Sequence, residues 1–213
     1  MYLPLLFKGA GMRCLIVGGG EVAWRKLELL SSAECAVTVI APRLHRGIES
    51  AVGKRHVDWI GREFRRGDCH GYQLVVAATG NRAVNQAVFE ESKSLCIPVN
   101  VVDDPELCTV TFPAFWQQGP LTVSVGTEGA APFMAVAIRD RLAAQAAPLA
   151  GWIEIAARFR AVVRSEVSDW SEKKLLYQKF IHAIQSGDPP DPPASKKLSD
   201  WLAWIEKAGE SAE

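Results

Sequence analysis

The stretch CLIVGGGEVAWRK, Cys14 to Lys26, decides the fold. An apolar run stops at three glycines, and a helical pattern follows. Strand, glycine turn and helix in that order open a βαβ unit. Gly18, Gly20 and Ala23 fit G-x-G-x-x-A, and each has a physical reason. Gly18 permits a tight turn, Gly20 lets a pyrophosphate approach the backbone, and Ala23 lets the helix pack close to the sheet. The helix then begins at Glu21 and Val22, where unpaired N–H groups and the positive dipole end face the phosphates. The strand–turn–helix context gives the glycine pattern its meaning.

Outward from that turn, short β-rich runs alternate with helical patterns as far as Val102. RCLIV, AVTVI, HVDWI, YQLVVAAT and IPVNVV read as strands. EVAWRKLELLSS reads as a helix with Val22, Leu27 and Leu30 on one side, and NRAVNQAVFEESKSL as another. This alternation implies a parallel sheet with right-handed crossover helices, an α/β fold of Rossmann type. After Asp103 the pattern changes. CTVTFPAF and PLTVSV read as two strands joined at QQG, and AAPFMAVAIRDRLAAQ as a helix with Pro132 in its first turn. From Pro148 on, the chain reads as helical, with GDPPDPP at 187–193 as a stiff linker. The last helix carries Leu198, Trp201, Leu202 and Ile205 as its apolar stripe, and GESAE reads as a frayed end. The expected organisation is residues 1–107 for the nucleotide domain, 108–147 for a small middle segment and 148–213 for a helical domain.

Composition narrows the function classes. The 213 residues are 48% apolar, with 24 basic and 24 acidic side chains. A balanced charge argues against a nucleic-acid or anionic-membrane partner, and no segment reads as a membrane span. The apolar start, MYLPLLFKGAGMR, lacks a basic leader and a small-residue cleavage site, so it reads as a tucked-in strand or arm. Five scattered cysteines without CxxC fit buried thiols in a reducing cytoplasm. Cys69 beside His70 is poor evidence for zinc, and no metal site is expected. His45, His56, His70 and His182 are isolated in sequence and read as surface or satisfied histidines.

Three further stretches bear on ligands. The acidic residue that grips a ribose diol belongs about twenty residues past the glycines, at the end of the second strand. That strand ends VIAPRL, which puts Ala41 and Pro42 near the adenosine and Arg43 just after. Arg43 is either a solvated loop cation or a 2′-phosphate ligand, so the residues alone leave NAD and NADP both open. AATGN brings Thr79 and Gly80 to the end of the fourth strand, on the nicotinamide side. PVNVVDDPE ends the fifth strand with Asn100, Asp103 and Asp104. Successive side chains alternate, so one aspartate faces the cleft and the other water, unless Asp-Pro simply starts a turn.

Taken in order, LPLLF, CLIVGGGEVAWRK, TVIAP, AATGN with Asn85, NVVDDPE, TFPA and LTVSVGTEGAAPFMA leading into IRDRL resemble the precorrin-2 dehydrogenase and sirohydrochlorin ferrochelatase family. This is the dehydrogenase module of siroheme synthases, and the resemblance covers residues 2 to 145. It implies a cytoplasmic homodimer that uses NAD to oxidise precorrin-2, a reduced tetrapyrrole, to sirohydrochlorin. It implies Asp103 as the catalytic residue, dimerisation through the middle segment, and a helical part that helps cover the substrate. With the sequence ending at Glu213, the methyltransferase domain fused to some relatives is expected to be absent. Some members also insert Fe²⁺, which would make that ion a substrate here. For a polycarboxylate substrate, Asn100, Thr127 in the VGTEGAAP loop and Arg139 are the expected contacts, with Arg141, Arg158, Arg160 and Arg164 as further cations. Two positions depart from the family pattern. Asp104 stands where a small residue is common, and Glu128 where a glycine is usual. The rival readings are a bifunctional enzyme that also inserts iron and a non-catalytic nucleotide-sensing module.

Overall fold

The computed structural model describes residues 2–54, 56–184 and 189–210. It divides into two compact units, Met1–Phe112 and Pro113–Glu213. The first carries five strands: β1 (Arg13–Val17), β2 (Ala36–Ile40), β3 (Val57–Ile60), β4 (Leu74–Ala77) and β5 (Val99–Val101). Its helices are α1 (Glu21–Ser32), α2 (Arg46–Ala51) and α3 (Arg82–Ser94). The sheet order is β3-β2-β1-β4-β5, with every pairing parallel. The expected α/β sheet of Rossmann type is therefore present.

Alternation along the strands fills two cores. Cys14, Ile16, Val37, Val39 and Val76 pack with Ala23, Leu27 and Leu30 of α1 on one face. Leu15, Val17, Ile40, Val75, Val99 and Val101 pack with Val88 of α3 on the other. A parallel sheet covered on both sides needs such continuous apolar runs. The inner stripe of α1 is Ala23, Leu27 and Leu30, whereas Val22, expected there, is only half-buried at the helix start. Burial pushes the Cys14 and Cys69 thiols up to about 12, so they stay neutral and pack as small apolar groups. Cys96 is exposed and departs from the expectation of buried thiols.

Three features of this unit differ from the sequence reading or add to it. Of the two readings of the N-terminus, strand or tucked-in arm, the structure has an arm, and its leucines are not tucked in. Both neighbours of β1 are already taken, by β2 and β4, and Leu3 and Leu6 are 75% and 85% exposed. The short helix α2 was not expected from the sequence; His45 caps it by accepting from the Gly47 N–H at 3.1 Å. The connection from β3 to β4 is not a crossover helix but an irregular segment, residues 61–73. Side chains hold that segment instead. Arg62 grips Asp68 through two bonds of 2.7 Å, and Asp68 also accepts from the Arg65 N–H. The buried Glu91 carboxylate of α3 accepts from the Gly67 and Cys69 N–H groups, both at 2.8 Å.

In the second unit, β6 (Ala114–Gln118) and β7 (Leu121–Val125) form an antiparallel hairpin on which α4 (Pro132–Ala146) packs. Pro132 opens α4, as its fixed φ favours. The first hairpin strand starts later than expected. Cys108–Val110 are committed to β5, and Gln117 and Gln118 lie in the strand. The turn is Gly119–Pro120, with Gly119 at φ 55°, the conformation that a two-residue hairpin needs at its first central position. Then α5 (Ala150–Glu166), α6 (Trp170–Ala183) and α7 (Leu198–Glu210) enclose an aromatic core. Phe159 stacks on Phe180 at 5.0 Å and lies 5.7 Å from Trp201. Residues 187 and 188 of the expected linker, and 211–213 of the expected frayed end, lie outside the described residues. The rest of the linker is pinned: Trp204 donates to the Asp191 carbonyl at 2.9 Å and Arg158 to the Pro193 carbonyl at 2.5 Å.

Candidate functional site

The turns after β1 and β4 meet where the chain reverses its order across the sheet. In doubly wound folds this switch point, beyond the carboxyl ends of the strands, is the ligand crevice. Gly18 has φ 123°, and a Cβ there would collide with the Ala78 carbonyl. Gly18 thus fastens the first turn to AATGN. Gly19, a free position in the fingerprint, is equally constrained: a Cβ there would strike the Arg43 carbonyl. The His45 N–H donates to the Gly19 carbonyl at 2.6 Å, so residues 43–45 lie against the glycine turn. Gly20 and Gly80 differ from these two, since a Cβ at either would meet nothing. Gly20 is also the N-cap of α1 and supplies no side-chain cap to the helix.

The other expected contacts fall around this crevice with varied duties. Ala41 is buried, its carbonyl held by the Trp59 indole at 2.9 Å, while Pro42 and Arg43 are exposed. Glu21 turns to His45, with Oε2 3.1 Å from Nε2. His45 Nδ1 already accepts from Gly47, so the ring proton sits on Nε2 and faces Glu21. His45, isolated in sequence, is thus tied to both helices and stacks on Trp24 at 6.1 Å. The Thr79 hydroxyl donates inward to Asn85 Oδ1 at 2.6 Å, and Asn85 Nδ2 donates back to the Thr79 carbonyl at 3.1 Å. Asn85 therefore shapes the loop that presents Gly80.

Asp103 stands at the same sheet edge, just past β5, whose Val102 N–H donates to the Ala77 carbonyl at 2.9 Å. It is exposed and has φ 60°, a left-handed conformation that aspartate tolerates better than most residues. Asp104 diverges from it and pairs with Arg82 Nε at 3.1 Å, at the start of α3. The expected split between cleft and water is therefore a split between an exposed carboxylate and one bound to an arginine. Asn100 is buried and donates to the Val110 carbonyl at 3.0 Å, which ties down the segment behind Asp103. Cys108 does the same: its Sγ accepts from the Val101 N–H at 3.2 Å and lies 3.4 Å from the Asp104 carbonyl. Sequence reading missed Cys108; its place four residues after Asp104 was the available signal. Nearby, the Lys26 ammonium lies 4.1 Å from the Phe112 ring centroid, and burial lowers its pKa.

Thr127 and Arg139 belong to the second unit. Thr127 Oγ1 accepts from the Ala131 N–H at 3.4 Å, so it shapes the entry to α4. Arg139 bonds Asp140 at 2.7 Å and the Phe115 carbonyl at 3.3 Å, tying α4 to β6. Glu128 has φ 53°, the left-handed region that favours glycine, and it is exposed. Among the described residues no group of three or more His, Cys, Asp or Glu side chains could hold a metal ion. Cys69 accepts from Ser92 Oγ at 3.5 Å inside the core, whereas His70 is exposed.

At the carboxyl end of the sheet this brings the turns after β1 and β4 together at the start of α1, with open space beside Gly20 and Gly80. A pyrophosphate needs that surface, so the residues fit a bound dinucleotide. Fold and site together define a nucleotide-binding protein of the doubly wound class.

The chain belongs to the family described as putative NAD(P)-binding, whose model matches residues 5–114. It is similar to the siroheme synthase of Pseudomonas putida (strain W619), 40% identical over 178 residues, 83% of this chain and 38% of that one. The siroheme synthase of Pseudomonas aeruginosa is 34% identical over 208 residues, 95% of this chain and 44% of that one. The chain thus spans about two fifths of the length of these curated relatives. Among solved structures, SirC, a precorrin-2 dehydrogenase, shares the fold with a TM-score of 0.70 and 21% identity, covering 99% of this chain and 100% of that one.

Proposed function

We propose that this protein is a precorrin-2 dehydrogenase, oxidising the tetrapyrrole to sirohydrochlorin with NAD(P)⁺ as oxidant. The observation that carries this reading is Asp103, an exposed carboxylate in a constrained turn at the same end of the sheet as the glycine turns. The similarity to siroheme synthases supplies the substrate class. A bound dinucleotide would supply the hydride acceptor. The chain's own part is to seat the pyrophosphate on Gly20 and the α1 N-terminus, and to place Asp103 to take the accompanying proton. Asn100 and Cys108 hold the turn that carries it. NAD⁺ is the oxidant that the family resemblance brings, and Arg43 is the residue that bears on that choice.

Two further parts of the reading rest on separate support. The names of the relatives favour Fe²⁺ insertion as a second activity, since siroheme carries iron. Asp103 would then take pyrrole protons as the metal enters. A homodimer is supported by α4, where Phe133, Met134, Val136, Ile138 and Leu142 are all exposed. No helix among the described residues is long and apolar enough to cross a membrane.

The test is anaerobic. Purified protein, precorrin-2 and NAD⁺ or NADP⁺ are mixed, and reduced cofactor and sirohydrochlorin are followed by absorbance before Fe²⁺ is added. Reduced cofactor must appear, and Asp103→Asn must lower turnover about 100-fold or more while leaving nucleotide binding intact. A metal-dependent spectral change above the protein-free rate would establish the second activity. Nucleotide binding without any turnover would leave a sensing module.

A further inference from the structure

We infer that His45 is a positioning residue for the dinucleotide: its imidazole draws the Glu21 carboxylate aside and so keeps the start of α1 open to the pyrophosphate. The inference rests on the nucleotide-binding part of the dehydrogenase reading, and not on the tetrapyrrole or the redox step.

The problem that His45 answers is electrostatic. The start of α1 carries the positive end of the helix dipole, and an anion is stabilised there. Gly20, the N-cap, sets no side chain on the first N–H groups. Glu21 is the first residue of the helix and the acid of its first turn, with its side chain 63% exposed. Without nucleotide, this carboxylate complements the dipole. Once a pyrophosphate arrives, it is a like charge at the same helix end, and the two repel. Arg25 stands one turn along α1 but makes no ion pair with Glu21 among the described residues.

His45 is held so that it engages that carboxylate. Its Nε2 lies 3.1 Å from Glu21 Oε2. Its Nδ1 accepts from the Gly47 N–H at 3.1 Å, which leaves the proton on Nε2, pointing at the carboxylate. The ring stacks on Trp24 of α1, with centroids 6.1 Å apart and planes 24° from parallel. Trp24 in turn lies against Gly47, where a Cβ would come within 2.5 Å of the indole. The His45 N–H donates to the Gly19 carbonyl at 2.6 Å, so the backbone that carries the ring is itself fastened to the glycine turn. Ring face, both ring nitrogens and backbone are all engaged, and the imidazole has one orientation.

The experiment is a double-mutant cycle read by calorimetry on the whole protein, with NAD⁺ and NADP⁺ as probes. His45→Asn keeps an oxygen to cap α2 but is too short for Glu21. It should weaken binding about tenfold, the size of one partly screened charge contact. Glu21→Gln alone should leave binding unchanged or tighten it. In the Glu21→Gln background, His45→Asn should cost less than about twofold, because the charge that it releases is gone. Raising the salt concentration should shrink the loss seen with Glu21 in place. Glu21→Asp gives a check with His45 intact: the shorter acid keeps its charge but withdraws it from the imidazole, and binding should weaken about threefold or more. Unchanged binding in His45→Asn or in Glu21→Asp would overturn the inference. So would a His45→Asn loss of equal size in both backgrounds, since His45 would then act through the Gly19 backbone alone. Precorrin-2 turnover with any of these results would leave the dehydrogenase reading standing, whereas the expected cycle without turnover would remove that reading alone. Binding of neither dinucleotide would overturn both.

Discussion

Three consecutive glycines perform three different tasks, and substitution can tell them apart. Gly18 is required by its own backbone and by the Ala78 carbonyl beside it, Gly19 by the Arg43 carbonyl, and Gly20 by nothing within the protein. Gly18→Ala should destabilise by more than about 2 kcal/mol, because a left-handed residue and a collision are combined. Gly20→Ala should change stability by less than about 1 kcal/mol, since its φ of −86° suits alanine. The added methyl should nonetheless weaken dinucleotide binding about tenfold or more. Thermal melts and nucleotide titration of the two variants check this. The fingerprint read from sequence located this turn correctly but treated Gly19 as filler. The reason is physical: what Gly19 avoids is a carbonyl on another loop, and no local pattern records that. Asp103 was singled out by the NVVD resemblance. Its backbone conformation, the Asp104–Arg82 pair and the Cys108 contacts were not, because each depends on which segments fold back together.

Among the elements, the strands and long helices were readable because their apolar periods are regular. The connection between β3 and β4 was not. GREFRRGDCHGYQ has no helical period, and what orders it is polar. Its anchors are the Arg62–Asp68 pair and the carboxylate of Glu91. The Arg62 guanidinium holds the Asp68 carboxyl below its ordinary value, with the Arg65 N–H assisting. Because the folded value lies below the unfolded one, near 3.9, this contribution is whole above about pH 4. It fades as pH falls through the lower, folded value. Asp68→Asn should therefore cost about 1–3 kcal/mol near neutrality and progressively less in acid. Melts of the wild type and the variant between about pH 7 and pH 2 should show the gap closing; a constant gap would mean that the pair contributes nothing through its charge. The hairpin shows the same limit of local reading. Its start was expected too early, because Thr109 and Val110 are β-favouring residues that instead serve β5.

For the whole molecule, the open question is what covers α4. Met134, Ile138 and Leu142 stand four residues apart and form one exposed stripe, with Phe133 74% exposed beside them. A second copy of the chain is the occupant implied by the proposed dimer. Light scattering should give twice the mass of one chain, and Ile138→Glu with Leu142→Glu should give a single chain with an unchanged circular dichroism spectrum. A wild-type mass of one chain would remove the dimer from the proposal. Hydropathy along α4 already hinted at this, since AAPFMAVAI is apolar on every side.

The seam between Cys108–Thr109 and β5 also bears on the edge of the sheet. β5 is the last strand of its sheet, and a last strand exposes a row of unsatisfied donors that foreign chains can join. Here the Val99 N–H is taken by the Thr109 hydroxyl at 2.8 Å and the Val101 N–H by the Cys108 sulfur at 3.2 Å. The segment that steadies the Asp103 turn therefore also blocks that edge as a template for aggregation. A shortened version of the first unit ending at Leu107 would leave the edge bare and ready to polymerise, whereas one ending at Phe112 would keep it closed.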